Sequence, residues 1–168
     1  MKKLMLGLLA LGLTTQLYAQ VINDGMLPEV EVRATNYKYL NSVDNSEATI
    51  SVKLLEDMVA KFDIKSSEFY EDGSNVYRVY FYIPDGKIVA AYDRDGKILY
   101  TIEKFKNVAL PEDVASSVED RFPGWKIAKD VYKVNYDTKS GTQKQYKIVL
   151  ENGKKTIRVK VDDSGVFL

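Results

Sequence analysis

An α+β fold is predicted, with two tandem helix–four-strand repeats forming one antiparallel sheet and both helices on one face. Three observations carry it. A helical apolar stripe occurs twice, in residues 51–64 and 110–122. Alternation of period two follows each stripe, and tight-turn signals separate the alternating stretches. One helix covers only part of a four-stranded face, so two copies joined edge to edge under two helices are expected.

The elements follow in chain order. Met1 to Ala19 reads as a signal peptide: Lys2 and Lys3 form the positive region, Leu4 to Leu13 the apolar core, and Leu17-Tyr-Ala19 the cleavage site. The apolar run is short for a membrane span. The chain has no cysteine, which excludes a lipid-anchored signal. Loss of Lys2 and Lys3 from 24 basic residues leaves 22 against 24 acidic, a net charge of −2. A periplasmic or secreted protein is expected, with no membrane insertion once the signal is removed. Residues 20–50 read as an N-terminal arm. Pro28 restricts Leu27–Arg33 to a strand start or an edge, and Asn36–Asn45 has turn formers without a clean period.

The first repeat is placed at residues 51–107. Ser51 caps a helix whose Val52, Leu55, Val59 and Phe62 share one face. Tyr77, Val79, Phe81 and Ile83 then alternate with Arg78, Tyr80 and Tyr82. Turns at Pro84–Lys87 and Asp93–Gly96 bracket a strand at Ile88–Tyr92, and Lys97–Lys104 sets Ile98, Tyr100 and Ile102 on one face.

The second repeat is placed at residues 108–168. Pro111 suits the first helical position, Glu112 and Asp113 complement the helix dipole, and Val114, Val118 and Phe122 make the stripe. Pro123 and Gly124 stop the helix. Strands are expected at Trp125–Asp130, Tyr132–Tyr136, Gln145–Leu150 and Thr156–Val161, with turns at Glu151–Lys154 and Asp162–Gly165. Phe62 corresponds to Phe122, and Asp93–Gly96 to Asp162–Gly165.

Three stretches carry a family resemblance: Leu110-Pro-Glu-Asp-Val114 with Phe122-Pro-Gly-Trp-Lys126, Tyr146-Lys-Ile-Val-Leu-Glu-Asn-Gly-Lys154, and Val161-Asp-Asp-Ser-Gly-Val-Phe-Leu168. Together they resemble the PepSY-like, β-lactamase-inhibitor-like proteins exported by Bacteroides-type bacteria. The likeness is good over Val108–Leu168, fair over Ser51–Lys104 and absent over Val21–Asn45. It implies helix-plus-four-strand repeats resembling the inhibitor fold, in a periplasmic or secreted protein. These motifs are turn and packing signals, and membership establishes no inhibition. The first helix exit, Asp63-Ile-Lys65, departs from the pattern by lacking Pro-Gly-Trp.

Composition narrows function further. The absence of histidine removes the usual general base, the commonest metal ligand and any nucleophile–histidine pair. Asp93-Arg-Asp-Gly96 resembles the opening of a calcium loop, but its twelfth position holds Lys104, and a hairpin turn explains the residues without metal. Glu112, Asp113, Glu119 and Asp120 lie on one short helix, expected on its solvated side rather than across a cleft. Ser116 and Ser117 have no histidine to activate them. No enzyme, cofactor or metal is therefore expected.

The second face of the sheet is the binding candidate. If helices cover Tyr77, Val79, Phe81, Ile98, Tyr100, Tyr146, Ile148, Ile157 and Val159, the opposite face carries Arg78, Tyr80, Tyr82, Val89, Ala91 and Leu99. In the second repeat that face carries Lys133, Asn135, Lys147, Thr156, Arg158 and Lys160. Of these, Arg78, Tyr80, Tyr82, Val89 and Leu99 are the expected binding residues. Exposed tyrosines beside an arginine compose protein-binding surfaces, so the partner expected is another protein. Covering by the arm, self-association, or a small glycan or peptide ligand between sheet and arm are the alternatives. Near-zero charge and export argue against nucleic acid.

Overall fold

The computed structural model describes residues 36–44 and 48–168. They belong to a compact unit spanning Arg33–Leu168. The signal-peptide assignment and residues 20–35 and 45–47 of the arm lie outside the described residues. Among the described residues three helices, α1 (Tyr37–Val43), α2 (Ile50–Lys61) and α3 (Glu112–Arg121), accompany six strands. These are β1 (Val76–Ile83), β2 (Gly86–Asp93), β3 (Ile98–Lys106), β4 (Lys126–Asp137), β5 (Gly141–Asn152) and β6 (Lys155–Asp162). They form one antiparallel sheet in sequence order.

Two four-strand repeats would make eight strands, so the count is a correction; in the first half no strand precedes β1 among the described residues, and residues 67–75 form turns and loop. Trp125–Asp130 and Tyr132–Tyr136 are not separate strands; one long β4 runs through both, taking up a register shift between Ile127 and Lys129. A bulge absorbs an extra residue without ending the pairing. The C-terminal segment contributes only an isolated bridge, Val161 to Phe167.

The helices form where the apolar stripes placed them, with shifted ends. Thr49 rather than Ser51 holds the N-cap position of α2, and Pro111 precedes α3 as its N-cap rather than its first turn. Val52, Leu55 and Val59 of α2 and Val114 and Val118 of α3 are buried against the sheet. Phe62 and Phe122 stand at the two C-caps. Phe62 packs edge-on against Phe81 at 5.4 Å, while Phe122 meets Phe167 at 5.8 Å and Trp125 at 6.5 Å. Phe122, Trp125 and Phe167 thus act as a single packing cluster.

The two Asp–Gly turns share one geometry. Asp93 Oδ1 accepts the amides of Asp95 and Lys97 at 2.8 and 2.9 Å. Asp162 Oδ1 accepts those of Ser164 and Val166 at 3.0 and 2.9 Å. Gly96 and Gly165 supply the positive φ, +79° and +85°. The Asp93 carboxylate is thereby a turn-forming group. At Gly165 the turn also approaches α3 closely: a Cβ there would stand 2.5 Å from Ser117 Oγ and 2.8 Å from the Asp113 carbonyl oxygen.

Residues 36–44 are not an arm across the open face. They build α1 on the same side as α2. Asn36 is the pin: its Nδ2 donates to the carbonyls of Ala60 and Gly96 at 3.2 and 3.1 Å, and its Oδ1 accepts the Ile98 amide at 2.7 Å. Ser42 bonds Thr142 through their hydroxyls, and Lys144 Nζ donates to the Asp44 carbonyl at 2.7 Å. Tyr39 and Val43 enter the core. A helix this short gains its stability from tertiary contacts rather than from propensity.

Candidate functional site

Side-chain alternation in β3 decides the composition of both sheet faces. Ala91 pairs with Tyr100 but Tyr92 pairs with Ile98, so Leu99 is the extra residue of a bulge. One extra residue exchanges the faces of everything on one side of it. Ile98 is buried under the helices as expected, but Thr101, Glu103 and Phe105 join it there. Tyr100 and Ile102 are turned to the open face. Tyr100 is therefore misassigned by simple alternation, and the place on the open face given to Leu99 belongs to Tyr100.

The open face can be read as rows across the strands. Arg78, Ala91 and Tyr100 form one row, and the Arg78 guanidinium donates to the Tyr100 hydroxyl at 3.1 and 3.2 Å. Tyr80, Val89, Ile102 and Asn135 form the next. Tyr82, Lys87, Lys104, Lys133 and Gln145 form the third, followed by Lys106, Val131, Lys147 and Lys160. Tyr80 and Tyr82 are 52% and 66% exposed, with near-parallel rings 6.4 Å apart, and Ile102 is 54% exposed. Val89 is half-buried between them, and Ala91 is covered by its neighbours. Four of the five expected binding residues thus share this face.

The lysine rows are electrostatically unfavourable in isolation. Lys104 stands directly opposite Lys133, and Lys147 opposite Lys160, and like charges so placed destabilise a sheet. Lys133 is held below the usual ammonium range, first by its hydrogen-bonding contact with Lys147, then by lost hydration and the charges of Lys147, Lys104 and Lys160. Among the described residues none of these lysines forms an ion pair. Asp137 and Asp162, at row ends, spend their carboxylates on turn amides.

A second constellation, invisible to sequence reasoning, lies under the helices. Glu103 of β3 and Glu56 of α2 are 1% and 4% exposed, and their carboxyls lie within hydrogen-bonding reach of each other. Tyr39 Oη donates to Glu103 Oε1 at 2.9 Å and Thr101 Oγ1 to the same oxygen at 2.7 Å. Glu56 Oε1 and Glu103 Oε2 lack partners among the described residues, so two acceptors are stranded together. A proton held between them satisfies both. Burial raises both carboxyls above the ordinary range; Lys144 pulls both the other way. No described cavity is lined by Glu56.

The fold and the face define a class: an α+β protein with one antiparallel sheet, helices on one side and an aromatic, basic surface on the other. Comparison with protein-family models, with curated proteins and with solved structures finds no match. Among the described residues no helix is long and apolar enough to cross a membrane.

Proposed function

We propose that this protein is an exported, non-catalytic binding module that engages or inhibits another envelope or secreted protein through the open sheet face. The observation that carries the reading is the aromatic patch: two tyrosines more than half exposed, ring beside ring, next to an exposed isoleucine. Contiguous apolar surface of this kind marks an interaction site, and tyrosine with arginine is the composition of binding hot spots. The burial of the ionisable groups supports a non-catalytic role: among the described residues, the strongly perturbed pair Glu56 and Glu103 is buried in the core. Export rests on the targeting pattern of Met1–Ala19.

The resemblance to PepSY-like, β-lactamase-inhibitor-like proteins is part of this reading. Matched C-cap phenylalanines and matched Asp–Gly turns support two related halves, each of a helix and three strands. The bridge from Val161 to Phe167 stands where a fourth strand would begin.

The paired substitution Tyr80→Ala/Tyr82→Ala tests the reading. A protein captured from periplasm and medium by the unaltered chain should be lost by the variant while the thermal midpoint stays the same. Equal capture by both would overturn it. A second reading, a carrier of a small glycan or peptide ligand, is favoured by a cavity of about 410 Å³ between α1 and the sheet. Asn36, Tyr39, Ile98 and Tyr136 are among its lining residues.

A further inference from the structure

The open face has a basic half that the aromatic patch alone does not explain. Two shallow cavities, about 290 Å³ and 270 Å³, lie side by side on it and share Lys87 and Lys104. Lys106 completes the first, beside Tyr82 and the β1–β2 turn, and Lys133 completes the second. Asp85 is the only acidic residue lining the first, and Glu103, whose carboxyl is buried against Tyr39 and Thr101 on the other face, the only one lining the second. Resting on the reading of this face as a protein-binding surface, we infer that its partner presents an acidic polypeptide segment. In it, two or more carboxylates, set beside an apolar or aromatic side chain, dock on the Lys87–Lys104–Lys133 row.

Three features select that chemistry. Charge comes first: lysines face one another across neighbouring strands, about 4.8 Å apart, with no carboxylate between them. Such a row is destabilising until an anion fills it, and complementary charge is what steers and orients a partner. Donor and acceptor balance comes second. Lysine ammoniums only donate, so a neutral glycan, whose hydroxyls donate as well as accept, meets few acceptors here beyond Asn135 and Gln145. A carboxylate, which only accepts, meets its complement. Third is the adjoining apolar row of Tyr80, Val89 and Ile102, two residues further along the strands. A ligand covering both rows must be anionic and apolar at once. Polypeptide side chains combine the two, whereas a sulfated glycan or polyphosphate does not. Single-stranded nucleic acid also combines them, but a chain with 24 basic and 24 acidic residues lacks the electrostatic footprint of a nucleic-acid binder.

The test is fluorescence anisotropy with the purified protein and a labelled peptide of alternating glutamate and tryptophan, at low and moderate salt. A glutamine–tryptophan analogue and a labelled twelve-residue oligothymidylate serve as the comparison probes. The glutamate peptide should bind, lose at least about tenfold in affinity as salt rises to physiological strength, and bind at least about tenfold tighter than the glutamine analogue. Lys104→Glu/Lys133→Glu should abolish that advantage without lowering the thermal midpoint, since both side chains are on the solvent side of the sheet and the exchange relieves repulsion with Lys87 and Lys147. Equal binding of the two peptides, or tighter binding of oligothymidylate, overturns the inference. Loss of peptide binding in the lysine variant but not in Tyr80→Ala/Tyr82→Ala would remove the aromatic reading and keep the acidic one. Loss in the tyrosine variant alone would do the reverse.

Discussion

Strand β3 presents like charge to like charge on both of its faces, and the two faces resolve it differently. Toward the helices Glu103 meets Glu56 in the buried core. Toward solvent Lys104 meets Lys87 and Lys133 in the open. In the core, water cannot screen the repulsion, so it must be removed within the fold, and a proton held between two carboxyls removes it. At the surface, water screens each lysine and the repulsion costs little, so it persists. The contrast teaches where this molecule stores specificity: the buried face is complete in itself, and the open face, in the function proposed above, is complementary to a partner.

The largest effect expected from breaking that contrast is in the core. Both carboxyls titrate above the ordinary glutamate value of 4.5 in the fold, so above that pH the folded state holds more protons than the unfolded chain. The stability this contributes is fully present below pH 4.5 and is lost as pH rises through the folded values. Each pH unit over which the folded pair holds one proton more than the unfolded chain costs about 1.4 kcal/mol. Urea unfolding across pH 4 to 9 should therefore show falling stability, and Glu56→Gln should flatten the slope. A pH-independent wild-type curve would mean that the two carboxyls do not share a proton.

A defect on the helix side that involves no charge should behave otherwise. Gly165→Ala forces a side chain into a left-handed turn and against Ser117 and the Asp113 carbonyl. It should cost about 2 kcal/mol, equally at every pH. Smallest is relief of the surface repulsion. Lys133→Gln should raise stability by a few tenths of a kcal/mol at low salt, and by less as salt screens the row. A drop instead would show that Lys133 supports the fold.

Legibility divided along the same line. The helix at 110–122 and the β1–β2 hairpin were readable because their periods and turn residues act locally. The faces of β3 were not, because Ile98, Tyr100 and Ile102 alternate as a buried set would, while the bulge at Leu99 puts Thr101 and Glu103 inside instead. A glutamate in an alternating strand reads as solvent-facing, and only the long-range contacts with Tyr39 and Glu56 reveal otherwise. The helix at 37–43 was hidden for a related reason. Its pins, Asn36 and Tyr39, act across 60 and 64 residues of sequence. Of the candidate site, the tyrosines and the lysines of the second half were legible, but not their union into rows, which depends on register.

The measurement that tests the division of faces most directly is nitration of the protein's tyrosines with tetranitromethane, followed by mass spectrometry. Tyr80 and Tyr82 should react first, while Tyr39, Tyr92, Tyr132 and Tyr146, each at most 1% exposed, should stay unmodified until the protein unfolds. Protection of Tyr80 and Tyr82 equal to that of the buried four would contradict an open face, and would mean that this chain or a second copy already occupies it.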